Sequence, residues 1–156
     1  MGAPTHDATM EGLYARDAPT LGRAVQLGIA GDRVISVSFP ETAPADADSA
    51  HPLLDRVFAY LDGAEDHFDD VPVGLTVPSD QRAVLEAVRN VPYGETVDAA
   101  RVARLAGLDD EDESDLGTVR TALRENPVPL FVPDHRVSGP GATPAAVAER
   151  LRDLEG

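Results

Sequence analysis

Hydrophobic and polar positions change rhythm once along this chain, near Pro78. Before it, Ala24-Val25-Gln26-Leu27-Gly28-Ile29-Ala30 and Val34-Ile35-Ser36-Val37-Ser38-Phe39 alternate, the period that lines one face of a strand. Gly31-Asp32-Arg33 lies between them, which predicts a β-hairpin. Residues 1–20 are small, polar and without period, and are expected to form a frayed or loosely packed arm. Pro40–Ala50 reads as a Pro/Ala/Asp loop. Pro52 suits the first turn of a helix, with Leu54, Val57, Phe58 and Leu61 on one stripe and Gly63 at its end. Residues 67–77 predict a further strand.

After Pro78 the apolar spacing becomes helical. Ser79 is the expected N-cap of a helix that buries Val84, Val88 and Val91, and Pro92-Tyr93-Gly94 turns the chain. Thr96 is the expected cap of a helix running to Leu105 and ended by Gly107. A second helix is expected over roughly Leu116–Glu125, with Leu116, Val119 and Leu123 inward. Two short helices around a turn make a helix-turn-helix pattern. Thr143-Pro144 starts a C-terminal helix with Val147, Leu151 and Leu154 on its apolar side. The expected organisation is therefore two parts: 1–78, a small sheet with a helix, and 79–156, a helical part.

Charge alters this picture more than size does. The 156 residues carry 28 acidic and 13 basic side chains, a net charge of −15, and every basic residue is arginine. Such a surface holds water and cations, and its loops are rich in Asp and Ala, which fits a halophilic protein in a cytoplasm of molar salt. There is no cysteine, so no disulfide framework is open to the chain. No apolar run approaches the ~20 residues of a spanning helix, and the N-terminus shows no signal-peptide pattern. A cytoplasmic protein, with no membrane association and monomeric, is the expectation. His6, His51, His67 and His135 lack metal-ligand spacing, and the Asp66, Asp69, Asp70 cluster lacks a calcium-loop pattern. Gly139-Pro140-Gly141 is no phosphate loop, because Pro140 has no N–H. No metal or cofactor is expected.

Val132-Pro133-Asp134-His135-Arg136-Val137 carries the clearest chemical signal. It resembles the Pro-Cys-His-Arg-Val signature of the methylated-DNA–protein-cysteine methyltransferases, the alkylguanine-DNA alkyltransferases. The resemblance extends over roughly Val25 to Glu155. Val91-Pro92-Tyr93-Gly94-Glu95-Thr96 looks like the family's IPYGET turn, and Asn126-Pro127-Val128-Pro129-Leu130 looks like its NPVPI run. Gln81-Arg82-Ala83-Val84 and Val102-Ala103-Arg104-Leu105-Ala106-Gly107 resemble its helices, and Leu154-Glu155-Gly156 its closing HEG-type end. The resemblance implies an α+β fold, with a ribonuclease H-like N-terminal sheet and a C-terminal winged helix-turn-helix.

It also implies a reaction whose parts can be checked one by one. The family moves an alkyl group from guanine onto its own cysteine, a thiolate activated beside a histidine. Here Asp134 stands at that position. His135, Glu155 and Asn126 match the activating histidine, glutamate and asparagine, each of which also has a structural reading. A buried His–Glu pair can hold the C-terminal helix, and an asparagine can brace a turn. The family extrudes the base with a tyrosine and fills the gap with an arginine. Those positions fall on Ala99 and Gly117. The related alkyltransferase-like proteins lack the cysteine but keep both side chains, so this chain departs from them too. The lid loop, Gly139–Pro144, is short and without Tyr or Ser.

DNA contact rests on Arg120, Thr121 and Arg124 on the presumed recognition helix, with Arg136 of the signature. Asp109-Asp110-Glu111-Asp112-Glu113-Ser114-Asp115 precedes that helix; it complements the helix dipole and repels phosphate. With ~5 phosphate contacts, a rise from about 0.15 to 3 M salt removes roughly six decades of affinity. Three readings stand: a non-catalytic DNA-binding homologue acting in alkylation repair or damage signalling, with a repair or regulatory protein as partner; a protein-interaction module that has lost DNA; and a dealkylating enzyme using Asp134.

Overall fold

A computed structural model describes residues 12–156. Three antiparallel strands form one sheet in the order β1-β2-β3: β1 (Gly12–Ala18), β2 (Arg23–Ala30) and β3 (Arg33–Ser38). The predicted hairpin is present, with Ala30 paired to Arg33 and Gly31 at φ 64° in its turn. A bulge follows Gly28, where a side chain would collide with Ser36: a Cβ there would lie 2.2 Å from its Oγ. The arm expected over residues 1–20 is corrected, because Gly12–Ala18 is a paired strand; residues 1–11 lie outside the described residues. Its burial does not alternate: Tyr14 and Ala15 are both covered, and Asp48 hydrogen-bonds along the outer edge.

Helix α1 (Pro52–Leu61) has its proline in the first turn, and His51 caps it, Nδ1 accepting from Leu53 N at 3.0 Å. Tyr60 joins Leu54, Val57 and Leu61 on the buried face, whereas Phe58 stays half-buried under the Arg16 guanidinium. The strand expected over 67–77 does not form. Val71, Val73, Leu75 and Val77 alternate, but Pro72 has no N–H and Phe68 sits at φ 51°, so pairing shrinks to one bridge between Val34 and Val73. Arginines take the freed carbonyls instead. Arg89 donates to Phe68 O (2.7 Å) and Val71 O (2.8 Å), and Arg82 to Leu75 O (2.9 Å). Asp66 and Asp70 clamp Arg56 between them, which accounts for that acidic cluster.

Four helices follow. In α2 (Ser79–Arg89), Pro78 takes the cap position and Ser79 is already helical, so the expected serine cap is absent. In α3 (Ala99–Leu105) the cap is Asp98, not Thr96, accepting from Arg101 N at 2.9 Å. Gly107 ends α3 at φ 80°, with Leu108 N bonded back to Ala103 O, the six-to-one bond of a Schellman motif. Helix α4 (Glu113–Arg124) starts earlier than expected because Asp112 caps it, accepting from Ser114 N and Asp115 N. Helix α5 (Ala145–Glu155) closes the chain. One apolar cluster runs from Val25 and Leu27 of the sheet through Phe68 and Phe131 to Val119 and Leu151. Each such side chain contributes about 1.5–3 kcal/mol on burial. Among the described residues no helix is long and apolar enough to cross a membrane.

Candidate active site and helix pair

The site is built on the segment between α4 and α5. Asn126 follows α4 and organises the turn: its Oδ1 accepts from Val128 N at 3.0 Å, and its Nδ2 donates to Val132 O at 2.9 Å. Leu130, at φ 80°, occupies a backbone region that non-glycine residues rarely adopt, so this turn is strained as well as tied. A short 3₁₀ turn, Asp134–Arg136, then places three polar side chains in the interior: Asp134 (3% exposed), His135 (1%) and Arg136 (4%). Val97 pairs with Val137 beside it, which joins the segment to the start of α3.

Glu155, the last residue of α5, is the centre of this interior. Its Oε1 accepts from Arg136 Nε (2.9 Å) and Gly94 N (3.2 Å). Its Oε2 accepts from Arg136 Nη2 (2.9 Å), His135 Nε2 (2.8 Å) and the Tyr60 hydroxyl. Burial alone would raise its pKa, but hydrogen bonds from His135 and Arg136 hold it well below the usual carboxylate range. Tyr60 is pushed far up, by burial first and then by its bond to Glu155, so it stays a donor. A carboxylate only accepts, so His135 Nε2 carries the proton of that bond; His135 Nδ1 is buried without a partner.

Asp134 is held differently. Its Oδ2 accepts from Asn126 Nδ2 (3.1 Å), Ala142 N (3.1 Å) and Thr143 N (3.3 Å). Its Oδ1 is closed to solvent and has no hydrogen-bond partner. Gly141 lies against the group: a Cβ there would stand 3.0 Å from Asp134 Cγ. Burial raises the Asp134 pKa, and the Thr143 and Asn126 contacts offset this only in part. A groove of about 330 Å³ between Gly139–Pro144 and the start of α5 has Asp134 at its floor and Ala148 and Arg152 in its wall.

The four residues expected at the active centre are thus brought together: Asn126 on Asp134, and His135 on Glu155. Gly141 and Thr143, from the expected lid segment, complete the site with Tyr60 and Gly94, whose place there was not anticipated. Tyr60 offered a signal, since it shares the α1 face with Leu54 and Val57 and a buried tyrosine seeks a partner for its hydroxyl. Arg136 is corrected: it was expected among DNA contacts, yet its guanidinium is buried on Glu155 and Val91 O. Arg120 and Arg124 are exposed on α4, with Thr121 half-buried between them. Ala99 opens α3, and Gly117 on α4 has nothing within 4 Å of a would-be Cβ.

The acidic turn serves the fold. Beyond the Asp112 cap, Asp115 accepts from Asp109 N, Asp109 from Glu111 N, and Asp110 pairs with Arg104 at 2.6 Å. The other arginines divide sharply. Among the described residues, Arg101, Arg120 and Arg124 make no side-chain hydrogen bond or ion pair, and all three are exposed on α3 and α4.

A small antiparallel sheet, a helix-turn-helix and a buried Asn–Asp, His–Glu centre together define an alkyltransferase-type fold. The pattern of the 6-O-methylguanine DNA methyltransferase DNA binding domain matches residues 79–152. A methylated-DNA–protein-cysteine methyltransferase of Methanopyrus kandleri is 36% identical over 97 residues, 62% of this chain and 70% of that protein. A DNA base-flipping protein of Thermus thermophilus is 37% identical over 100 residues, 64% of each. Among solved structures, Mycobacterium tuberculosis OGT in complex with DNA superposes with a TM-score of 0.70 at 24% identity, over 92% of this chain and 91% of that one. The chain belongs to the methylated-DNA–protein-cysteine methyltransferase family.

Proposed function

We propose that this protein is a non-catalytic, DNA-binding member of its family, acting in the cytoplasm of a salt-rich cell in alkylation repair or damage signalling. The observation that carries the DNA reading is the placement of Arg101, Arg120 and Arg124. Every other arginine donates at least one side-chain hydrogen bond to protein atoms, and these three, exposed on the helix pair, donate none. Phosphate contacts need such guanidinium groups, free of competing carboxylates. The acidic cap at Asp112 lies eight residues from Arg120, ~12 Å along the helix, and Asp115 five residues, ~7.5 Å, against a Debye length of about 8 Å at physiological salt and about 3 Å at 1 M. Repulsion from that turn therefore reaches Arg120 at physiological salt and is screened in molar salt.

The non-catalytic reading follows from Asp134. One oxygen takes three N–H donors and the other is closed to solvent, so neither can meet an alkyl carbon in line. A raised pKa also reduces the carboxylate fraction. Asp134 acts instead as a tether for the 139–144 loop, a role that needs a multi-acceptor oxygen. Asn126 braces that tether, and His135 and Glu155 lock α5 in place.

The test is binding to a duplex with one alkylated guanine and to its undamaged twin, with mass spectrometry for alkyl loss. Binding without alkyl loss is expected, with a salt slope of roughly −0.9 per phosphate contact. The R101Q/R120Q/R124Q variant should flatten that slope by nearly three of those steps. D134C should not gain transfer, since Ala99 and Gly117 supply no extruding side chain. Alkyl loss by the wild type but not by D134N would make it an Asp134-dependent enzyme. No binding to either duplex, at low or molar salt, would leave a protein-interaction module.

A further inference from the structure

The engaged arginines of this acidic chain fall into two groups, those that face a carboxylate and those that cap main-chain carbonyls. Arg16, Arg56, Arg104 and Arg136 pair with Asp55, Asp66, Asp110 and Glu155. Arg23, Arg33, Arg82, Arg89, Arg150 and Arg152 bond carbonyls only, and of these Arg33, Arg82 and Arg89 stand together. They come from β3 and α2, and they line one pocket of about 270 Å³ together with Pro72, Val73 and Leu75. Their protein partners are main-chain carbonyls. Arg82 Nη2 donates to Leu75 O at 2.9 Å, and Arg89 uses Nε and Nη2 on Phe131, Phe68 and Val71 O. Arg33 Nη1 makes only a 3.5 Å contact with Val73 O.

A guanidinium offers five N–H donors in a rigid fork. Most donors of Arg33 and Arg82, and the Nη1 group of Arg89, therefore remain unengaged. Carbonyl capping accounts for part of Arg82 and Arg89. It does not account for a third guanidinium, held by one long contact, at the same pocket. Glu86 is the one carboxylate in the lining, so the pocket is net cationic in a protein of net charge −15. Arg89 is half-buried, and burial lowers its pKa, with the nearby Asp69 and Asp70 offsetting this only in part.

We propose that Arg33, Arg82 and Arg89 form an oxyanion site that takes a phosphate group. The fork geometry suits the oxygens of a tetrahedral anion, as it does in bidentate arginine–phosphate pairs. The phosphate has two sources, a free phosphate or phosphomonoester, or the backbone of a nucleic-acid strand. The site lies on β3 and α2, apart from the three free arginines of α3 and α4, and stands or falls independently of the DNA reading above.

Isothermal titration of inorganic phosphate into the full chain, in potassium chloride, tests it. Saturable binding is expected, weakened at least about tenfold in R33Q/R82Q by loss of charge-assisted hydrogen bonds. Arg89 is left in place because it holds three carbonyls of the fold. E86Q removes the opposing carboxylate and should tighten binding, a gain that no unfolding can imitate. Absence of saturable heat in the wild type overturns the proposal, as does an affinity unchanged in both variants. Repeating the titration with a short undamaged duplex present assigns the source. Phosphate displaced by duplex, with duplex binding weakened in R33Q/R82Q, assigns the site to a strand; phosphate binding indifferent to duplex assigns it to a free ligand.

Discussion

Asp134 and Glu155 are both carboxyl groups buried around His135, and the fold treats them in opposite ways. Glu155 receives five donors shared between its two oxygens, two of them from a guanidinium. Asp134 receives three, all on one oxygen and none from a cation. Burial pushes both pKa values up; at Glu155 the donors reverse the shift, and at Asp134 they do not. A buried carboxylate is thus a fixed charge only where a cation and a full set of donors meet it. Glu155 is a structural anion joining α1, the 92–94 turn, the 3₁₀ turn and α5. Asp134 is a tether with one oxygen left over.

The largest effect should come from removing the anion. Glu155→Ala leaves Arg136 buried without its partner and the Tyr60 hydroxyl without an acceptor. Breaking a buried pair from one side costs about 3–5 kcal/mol, so urea unfolding should show most of the stability lost. Glu155→Gln keeps the shape and isolates the charge. A folded pKa below the unfolded value, ~4.3, gives stability that is present above it and lost as pH falls through the folded pKa. The advantage of the wild type over E155Q should shrink below about pH 4.3. A cost under ~1 kcal/mol for E155A would place the hub among surface-grade ion pairs and erase the contrast.

A smaller effect is expected at Gly141. Its missing side chain leaves room for Asp134: a Cβ would sit 3.0 Å from Cγ and 3.2 Å from Cβ of that residue. Asp134 cannot yield cheaply, because three hydrogen bonds pin its Oδ2. Gly141→Ala should cost about 1–3 kcal/mol, the usual penalty for overpacking. In a double-mutant cycle with Asp134→Ala, the two costs should be less than additive, since removing the carboxyl opens the space. Strict additivity would separate the loop from the tether.

Much of this site could be read from residue order, and the unread parts share a physical cause. Asn126, Asp134, His135 and Glu155 were visible because motif and spacing carry them. The convergence of Tyr60 and Gly94 on Glu155 was not, because those partners lie 95 and 61 residues away in sequence. Arg136 was misplaced for a related reason, since a charge adjoining the signature reads as surface until its carboxylate partner is located. Elsewhere local rules met stronger neighbours. The alternation of Val71, Val73, Leu75 and Val77 signals a strand, and Pro72 with the arginine-capped carbonyls overrules it. β1 escaped notice because its buried positions, Tyr14, Ala15 and Ala18, follow no period of two. The helix-turn-helix was legible because its apolar stripe and its terminating glycine are local features.

The finest effect is the one that reads Asp134 itself. Asp134→Asn keeps the shape and an oxygen for the three N–H donors while deleting the ionisation. Neutralising a buried and incompletely compensated acid should change stability at pH 7 by on the order of 1 kcal/mol, in favour of the variant. The pH dependence carries the sign. Because the folded pKa is raised above the unfolded value of ~3.9, the Asp134 contribution is fully present below that value and is lost as pH rises through the folded pKa. The wild type should therefore gain on D134N as the pH is lowered from about 7 towards 4, opposite in sense to its comparison with E155Q. Urea midpoints for the three proteins from about pH 7 down to about pH 3 would display both trends on the same axes, the D134N trend above ~4 and the E155Q trend below about 4.3. A difference between wild type and D134N that stays flat or widens on acidification would mean that the Asp134 carboxylate is as well compensated as Glu155. The leftover oxygen would then have a partner, and Asp134 would belong to the charged hub rather than to the loop.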